Sequence, residues 1–142
     1  KNNVIFTMYK FRTMKRNTPE IATHLVRNPE SLYTVSGRFL RKTSLDEIPQ
    51  LLNIIIGDMV FIGPRPALYN QKDLISLRLK EGIDKMIPGI TGWAQVNGRD
   101  DLSIKQKVVY EAYYLSHKSL SLDIKIILLT IYKLLLLSDK IK

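Results

Sequence analysis

Two adjacent carboxylates, Asp46 and Glu47, and a later arginine, Arg65, are the side chains of this sequence best suited to chemistry. All three lie in one stretch, residues 41–66, which reads RKTSLDEIPQLLNIIIGDMVFIGPRP. Arg65 stands between two prolines, whose rings fix the backbone on both sides. A braced guanidinium suits a phosphate, although a rigid turn with an incidental arginine fits the same pattern. A carboxylate pair and a fixed cation together favour a site that handles a phosphate ester.

The carboxylate pair falls where the pattern predicts the start of a helix. Ser44 and Glu47 have the spacing of a capping box, and the apolar run LLNIII follows. Since Pro49 is tolerated only near a helix start, we expect the helix to begin at Ser44 or Asp46. The helix dipole would then lower the carboxylate pKa values and keep the pair ionised. A well-capped helix without any chemistry is the alternative.

A second dense stretch, residues 88–99, reads PGITGWAQVNGR. Its glycines and proline indicate turns, and Trp93, Gln95 and Asn97 could stack and hydrogen-bond, while Arg99 supplies a cation. The glycines do not have the spacing of a Walker or dinucleotide loop. The alternative is a turn-rich loop with a core tryptophan.

Composition limits the classes of partner. The 142 residues fit one domain, and the net charge of +9 favours an anionic partner: nucleic acid, phospholipid or a phosphorylated substrate. The absence of cysteine excludes a disulfide framework and a thiolate metal site. The two histidines, His24 and His117, are far apart, which argues against a histidine zinc site.

The remaining pattern predicts a helix-rich chain with few strands. We expect strands over residues 4–11 and 59–62, a loop with a short helix over residues 17–34, and an amphipathic helix over residues 71–85. The basic cluster YKFRTMKR, residues 9–16, is interpreted as the solvated face of the first strand.

From residue 103 onward the pattern predicts two helices separated by a Ser-Leu-Ser break. Asp123 should stand in the first turn of the last helix, with Ser121 as its cap. That helix is either a core element or one lying in a membrane interface, where Tyr110, Tyr113, Tyr114 and Tyr132 would also fit. The longest apolar tract is too short to span a bilayer. The predicted fold is α+β: a helix-rich single domain with a few short strands and interfacial amphipathic helices.

Five ordered blocks give the chain a resemblance to a known family. The blocks YKFRTM, LRKTSLDEIPQLLN, GDMVFIGPRP, PGITGWAQVNGR and LDIKI resemble those of the bacterial sugar transferases, the monotopic phosphoglycosyl transferases. The resemblance implies transfer of a sugar-1-phosphate from a UDP-sugar to polyprenyl (undecaprenyl) phosphate, with release of UMP. It places the enzyme at the cytoplasmic face of the bacterial cell membrane, at the start of capsule, O-antigen or exopolysaccharide synthesis.

The same resemblance assigns roles to individual residues. Asp46 would be the nucleophile that forms a covalent phosphosugar intermediate, and Glu47 would work beside it, the pair holding Mg²⁺. The guanidinium groups of Arg65 and Arg99 would bind phosphate. Substrate-binding roles are also implied for three further residues: Arg12, Arg41 and Asp123. The expected partners are the UDP-sugar, the polyprenyl phosphate and the membrane surface, without nucleic acid.

The chain departs from the family pattern at two places. The family carries an N-terminal membrane helix, and because this chain begins within the strand before YKFRTM, we expect residues 1–142 to be an N-terminally truncated catalytic domain. The segment YEAYYL lacks the aspartate and tryptophan often found there in the family, with Glu111 near the expected acid. An inactive fragment, or a basic module that binds lipid or nucleic acid, are the alternative functions.

Overall fold

The computed structural model describes residues 1–16, 18 and 29–139. Six α-helices and two short strands form the regular part of this region. In chain order they are α1 (Val35–Thr43), α2 (Gln50–Ile56), β1 (Val60–Ile62), α3 (Lys72–Lys80), β2 (Gly89–Thr91), α4 (Trp93–Val96), α5 (Ile104–His117) and α6 (Leu120–Asp139). Single 3-10 turns occupy Pro29–Leu32, Leu45–Glu47, Ile83–Lys85 and Arg99–Asp101. The predicted helix-rich α+β class is confirmed.

The two strands form a parallel pair in which Val60 lies opposite Gly89 and Ile62 opposite Thr91. Strand β1 confirms the strand predicted over residues 59–62, whereas β2 forms inside the stretch that the sequence indicated as turns. A close approach of two backbones explains its glycines: a Cβ on Gly92 would lie 2.1 Å from the carbonyl oxygen of Gly63. Glycine therefore lets the loop after β1 and the loop after β2 meet.

Buried apolar side chains form two clusters on either side of α5. Leu74, Ile83 and Val108 join α3 to α5, and Val96, Tyr114 and Ile126 join α4, α5 and α6. The burial of Tyr114 contradicts its suggested place in a membrane interface. Trp93 is only half buried, and its ring stacks at 6.0 Å on that of Tyr113.

The predicted capping box and helix start at Ser44 or Asp46 are wrong. Ser44 instead ends α1 in the left-handed conformation, with φ of 56° and its N–H bonded to the Arg41 carbonyl, and its side chain makes no capping bond. Pro49 lacks the N–H that an α-helix through this point would need. The N–H of Ile48 instead donates to the Leu45 carbonyl, which closes a 3-10 turn. The α-helix begins only at Gln50.

Other predicted boundaries hold more closely. Gly57, with φ of 95°, ends α2 at the predicted place. The helix predicted over residues 71–85 ends early, at Lys80, and a separate 3-10 turn follows Gly82. A capping box does occur in this protein, at Ser103 and Gln106, where α5 begins.

Residues 4–11 do not form the predicted strand, and the nearest bridge pairs Met14 with Tyr33. An extended segment becomes a strand only beside another strand, and here residues 7–11 bond to Asn53 and to the main chain of Asp46 instead. The predicted loop over residues 17–34 falls largely outside the described residues, as does His24; its described end contains the 3-10 turn Pro29–Leu32.

The last helix, α6, begins at Leu120, inside the predicted Ser-Leu-Ser break. Asp123 lies in its first turn as predicted. The hydroxyl of Ser119, rather than Ser121, accepts a hydrogen bond from the N–H of Leu122. Among the helices of the described region, α6 included, not one has both the length and the apolar character needed to cross a bilayer.

Candidate active site

One carboxylate oxygen, Oε1 of Glu47, gathers the cations of the candidate site. It accepts hydrogen bonds from Lys10 Nζ at 3.0 Å and from Arg65 Nη2 at 2.9 Å, and Arg99 Nη2 lies 3.7 Å away. These cations come from three separate parts of the chain: the N-terminal segment, the loop after β1 and the loop after α4. The fold therefore builds one charged centre from residues that are distant in sequence.

The N-terminal segment is held in place on both sides of Lys10. The N–H of Tyr9 donates to Oδ1 of Asn53 at 3.0 Å, and the N–H of Phe11 donates to the main-chain carbonyl of Asp46 at 3.1 Å. Asn53, which is fully buried in α2, also donates from Nδ2 to the Thr7 carbonyl at 2.7 Å. A segment without regular secondary structure thus presents Lys10 to Glu47 in a defined position.

The two carboxylates of the pair are both buried, at 7% and 8% exposure for Asp46 and Glu47. Burial alone would raise the pKa of Glu47, but Arg65 and Lys10 outweigh it and lower this pKa to about 2. Burial, together with the neighbouring charge of Glu47, raises the pKa of Asp46. The expectation that a helix dipole lowers both pKa values is therefore wrong for Asp46, because the pair lies in a 3-10 turn and the nearby cations lower the Asp46 pKa less than burial and Glu47 raise it.

Burial also lowers the pKa of Lys10, against the opposing influence of Glu47. Three cations stand around two carboxylates, so the centre keeps a positive excess when all five groups are charged. Such a centre attracts anions, and guanidinium groups bind phosphate oxygens in particular. The geometry suits a phosphorylated ligand beside a buried carboxylate, Asp46, of raised proton affinity.

The structure brings four of the predicted site residues together: Asp46, Glu47, Arg65 and Arg99. Arg41 lies near enough to lower the Asp46 pKa, although burial and Glu47 raise it more strongly, and its guanidinium sits 4.8 Å above the Tyr33 ring.

The other two predicted residues have different surroundings. Arg12 is exposed. Among the described residues, the ion pairs of Glu47 are with Lys10, Arg65 and Arg99 and do not include Arg12. The carboxylate of Asp123 accepts a hydrogen bond from the hydroxyl of Tyr114 at 2.7 Å. This contact joins α6 to α5 and gives Asp123 a bracing role.

Sequence reasoning missed Lys10 and Asn53. Lys10 belongs to the basic cluster that was interpreted as a solvated strand face, yet its ammonium group pairs with Glu47. A usable signal for Asn53 was its place as a lone amide in the apolar run LLNIII, since a buried amide must find hydrogen-bond partners.

The carboxylate pair fits a metal ion only in part. Mg²⁺ is usually held by one or two carboxylates together with waters and substrate phosphates. Oε1 of Glu47 already faces cations, so the carboxylate of Asp46 and Oε2 of Glu47 are the better candidates. Within the described residues, no group of three or more His, Cys, Asp or Glu side chains is placed to hold a metal.

Comparison with known proteins gives related sugar transferases. The chain is 42% identical to the uncharacterized sugar transferase EpsL of Bacillus subtilis, over 92% of this chain and 63% of that protein. It is 38% identical to the UDP-glucose:undecaprenyl-phosphate glucose-1-phosphate transferase of Escherichia coli, over 89% of this chain and 29% of that protein. Identity to the undecaprenyl-phosphate galactose phosphotransferase of Salmonella typhimurium is 34%, over 92% and 30% respectively.

The chain thus spans less than two thirds of the length of these relatives. The family model described as bacterial sugar transferase matches residues 1–136. On that match, which covers both dense motifs and every residue of the charged centre, this chain belongs to the bacterial sugar transferase family.

Proposed function

We propose that this protein transfers a sugar-1-phosphate from a UDP-sugar to undecaprenyl phosphate or a similar polyprenyl phosphate, with release of UMP. The observation that carries the proposal is the meeting of Lys10, Arg65 and Arg99 at Glu47, directly beside Asp46. Family membership and the names of the relatives from Escherichia coli and Salmonella typhimurium support the same reaction class.

The proposed reaction has two steps, with Asp46 as the nucleophile. In the first, a carboxylate oxygen of Asp46 bonds to the sugar-bearing phosphorus, and the bond from this phosphorus to the bridging oxygen breaks, which releases UMP. In the second, an oxygen of the polyprenyl phosphate attacks the same phosphorus and the aspartyl bond breaks. Covalent catalysis of this kind divides one transfer between two large substrates into two steps. The raised pKa of Asp46 makes its carboxylate the stronger base and nucleophile of the pair.

The cations would stabilise the negative charge that develops on the phosphate oxygens. Lys10, Arg65 and Arg99 are already oriented toward one point by Glu47, and groups oriented before the reaction need little reorganisation during it. Glu47 would serve mainly to hold these cations, since its low pKa keeps it ionised across the neutral range. Arg41 and Arg12 would supply positive charge at the edge of the donor or acceptor site.

A Mg²⁺ ion is the proposed cofactor, and Asp46 and Oε2 of Glu47 would hold it. When bound, the ion would neutralise diphosphate charge. The readout that tests its binding without turnover is a shift of the Asp46 and Glu47 carboxyl NMR signals on addition of Mg²⁺ and UDP.

The lipid acceptor requires a position at a membrane, and the surface offers apolar side chains for that contact. Ile55 and Ile56 of α2 are 80% and 63% exposed, and Phe61 of β1 is 61% exposed. Helix α6 exposes a second set: Ile124, Ile127, Leu128, Ile131 and Leu135. We propose that the protein works on the cytoplasmic face of the bacterial membrane, in the initiation of a surface polysaccharide.

Intact-mass measurement tests the proposal. The protein is reconstituted in lipid and mixed with Mg²⁺ and a panel of UDP-sugars. We expect a mass gain equal to one sugar phosphate, with release of UMP, and loss of both in Asp46→Asn. The matched control is Asp101→Asn, which makes the same change at an exposed position and should keep the adduct.

Other outcomes of this experiment would change the proposal. Release of UMP without an adduct on rapid quenching would replace the covalent step with direct transfer. Detectable turnover in Asp46→Asn would remove Asp46 as the nucleophile. If no donor gives UMP or an adduct, the basic lipid-binding or nucleic-acid-binding module becomes the better description.

A further inference from the structure

A buried ion pair outside the charged centre joins α3 to α5. Nε of Arg78 donates to Oε2 of Glu111 at 2.8 Å, and Nη2 of Arg78 donates to Oε1 of the same carboxylate. Arg78 is 9% exposed and Glu111 3%. Buried charges are costly, and an apolar pair of similar volume would often stabilise a fold equally well. A second contact shows what the pair achieves here.

Nη2 of Arg78 also donates to the main-chain carbonyl of Arg65, at 2.9 Å. Arg65 lies between Pro64 and Pro66, and because proline has no N–H, the main chain of this turn has few groups by which it can be anchored. The carbonyl of Arg65 is one of them. Glu111 orients the guanidinium of Arg78, and Arg78 in turn holds the backbone from which the Arg65 side chain extends.

The opposite end of Arg65 reaches the charged centre, where its Nη2 donates to Oε1 of Glu47 at 2.9 Å. A continuous series of hydrogen bonds therefore runs from Glu111 through Arg78 and Arg65 to Glu47. Since Arg78 bonds the main chain of Arg65, it acts on the site only through that residue.

The geometry points to Arg78 and Glu111 as positioning residues that fix the Arg65 guanidinium against Glu47. Their effect on turnover rests on the proposed function, whereas their effect on Arg65 does not. A purely structural pair would join α3 to α5 and leave Arg65 unaffected. A positioning role and a purely structural role predict different mobility of the Arg65 guanidinium, which can be measured without substrate.

Arginine side-chain NMR measures that property, as the rate at which the Arg65 guanidinium rotates about its Nε–Cζ bond. The signal is assigned with Arg65→Lys. In the double variant Arg78→Met/Glu111→Leu, both charges are replaced by apolar side chains of similar size, which keeps the packing between α3 and α5. We expect rotation to become faster by about threefold or more, the order expected when a charge-assisted hydrogen bond is weakened.

The matched control is Lys80→Met/Glu81→Leu, which removes the same two charges at exposed positions near the end of α3. It should leave the rotation rate unchanged. If the Arg78/Glu111 double variant does not fold, Arg78→Lys replaces it: a single ammonium group cannot reproduce the fork that bonds Glu111 and the Arg65 carbonyl together. An unchanged Arg65 rotation rate in a folded variant of either kind overturns the proposal.

Turnover supplies a second readout once the transfer reaction is measured. We expect kcat/KM for the donor to fall in Arg78→Met and to be partly restored in Arg78→Lys, with the unfolding midpoint reported beside each value. If the protein proves not to be a transferase, the NMR comparison still decides whether Arg78 and Glu111 position Arg65.

Discussion

Asp46 and Glu47 are neighbours in the chain, yet their pKa values are shifted in opposite directions. Burial and the charge of Glu47 raise the pKa of Asp46, while Arg65 and Lys10 overcome burial and lower the pKa of Glu47 to about 2. Two carboxylates whose environments separate their proton affinities are suited to different tasks. Lys10, Arg65 and Arg99 meet at Glu47, and this difference between the two carboxylates supports the proposal of Asp46 as the nucleophile.

Acid should remove a stabilising contribution that depends on Glu47. The pKa of Glu47 is about 2 in the folded protein and 4.5 for an unperturbed glutamate, so its contribution is complete above pH 4.5 and is lost as the pH falls toward 2. It amounts to roughly 3 kcal/mol at most. We expect the wild-type unfolding free energy, measured in urea, to fall across this range more steeply than that of Glu47→Gln.

The raised pKa of Asp46 has the opposite sign and offsets part of the same pH dependence. The test therefore compares the pH dependence of the unfolding free energy in Glu47→Gln with that in the wild type, because the wild-type curve alone contains both contributions. Parallel curves from pH 7 to pH 3 would show that the cations do not stabilise ionised Glu47.

Replacement of Asn53 should loosen the segment that carries Lys10. In Asn53→Leu the N–H of Tyr9 and the carbonyl of Thr7 lose their hydrogen-bond partners, and each lost bond costs about 0.5–1.5 kcal/mol. We expect a lower free energy of unfolding and faster hydrogen exchange at the Tyr9 amide. Leu52→Ala, at a half-exposed neighbour, is the control and should leave that exchange rate unchanged.

A methyl group at Gly92 should separate the two loops that meet behind the site. Its Cβ would lie 2.1 Å from the Gly63 carbonyl oxygen, so Gly92→Ala requires the backbone to move and should cost at least about 2 kcal/mol. Gly57→Ala tests backbone strain in place of a clash, because a Cβ there meets no atom but the residue has φ of 95°. We expect this variant to lose about 1 kcal/mol of unfolding free energy. Thermal unfolding would contradict the steric argument if Gly57→Ala were the more destabilised.

Tyr114 should be the last tyrosine to ionise. Burial, and then the hydrogen bond to Asp123, raise the pKa of its phenol. The stabilisation from this neutral phenol is therefore complete below pH 10 and is lost as the pH rises above it. Ultraviolet titration near pH 11 should count equal numbers of phenolates in the wild type and in Tyr114→Phe. One phenolate fewer in the variant would show that Tyr114 ionises normally.

Much of the site could be predicted because short motifs contain its parts. The arginines of GPRP and NGR do meet the Asp-Glu pair, and the helix boundary at Gly57 follows from a local conformational need. Ser44 shows where local reasoning fails: two helices compete for it, and it serves the end of α1 instead of the start of α2. A pattern for one helix contains no information about the helix before it.

Lys10 and Asn53 could not be placed for a related reason. The pairing of Lys10 with Glu47 joins residues 37 positions apart, and that of Tyr9 with Asn53 joins residues 44 apart. Alternation of residue types in the N-terminal segment predicts a strand, which is wrong, because a strand also needs a neighbouring strand. Here a single buried amide takes that role.

These long separations also have a consequence for how the protein folds. The parallel pairing of β1 with β2 encloses all of α3, and the site adds further contacts between distant parts of the chain. Each requires a large loop to close before any contact energy is gained, which slows folding relative to a helical protein with local contacts. Helices α5 and α6, which follow one another directly, can pair early. We therefore expect the charged centre around Glu47 to be among the last parts of the molecule to assemble. A chain caught before that stage would have much of its helix content but not the cluster of cations proposed to bind phosphate.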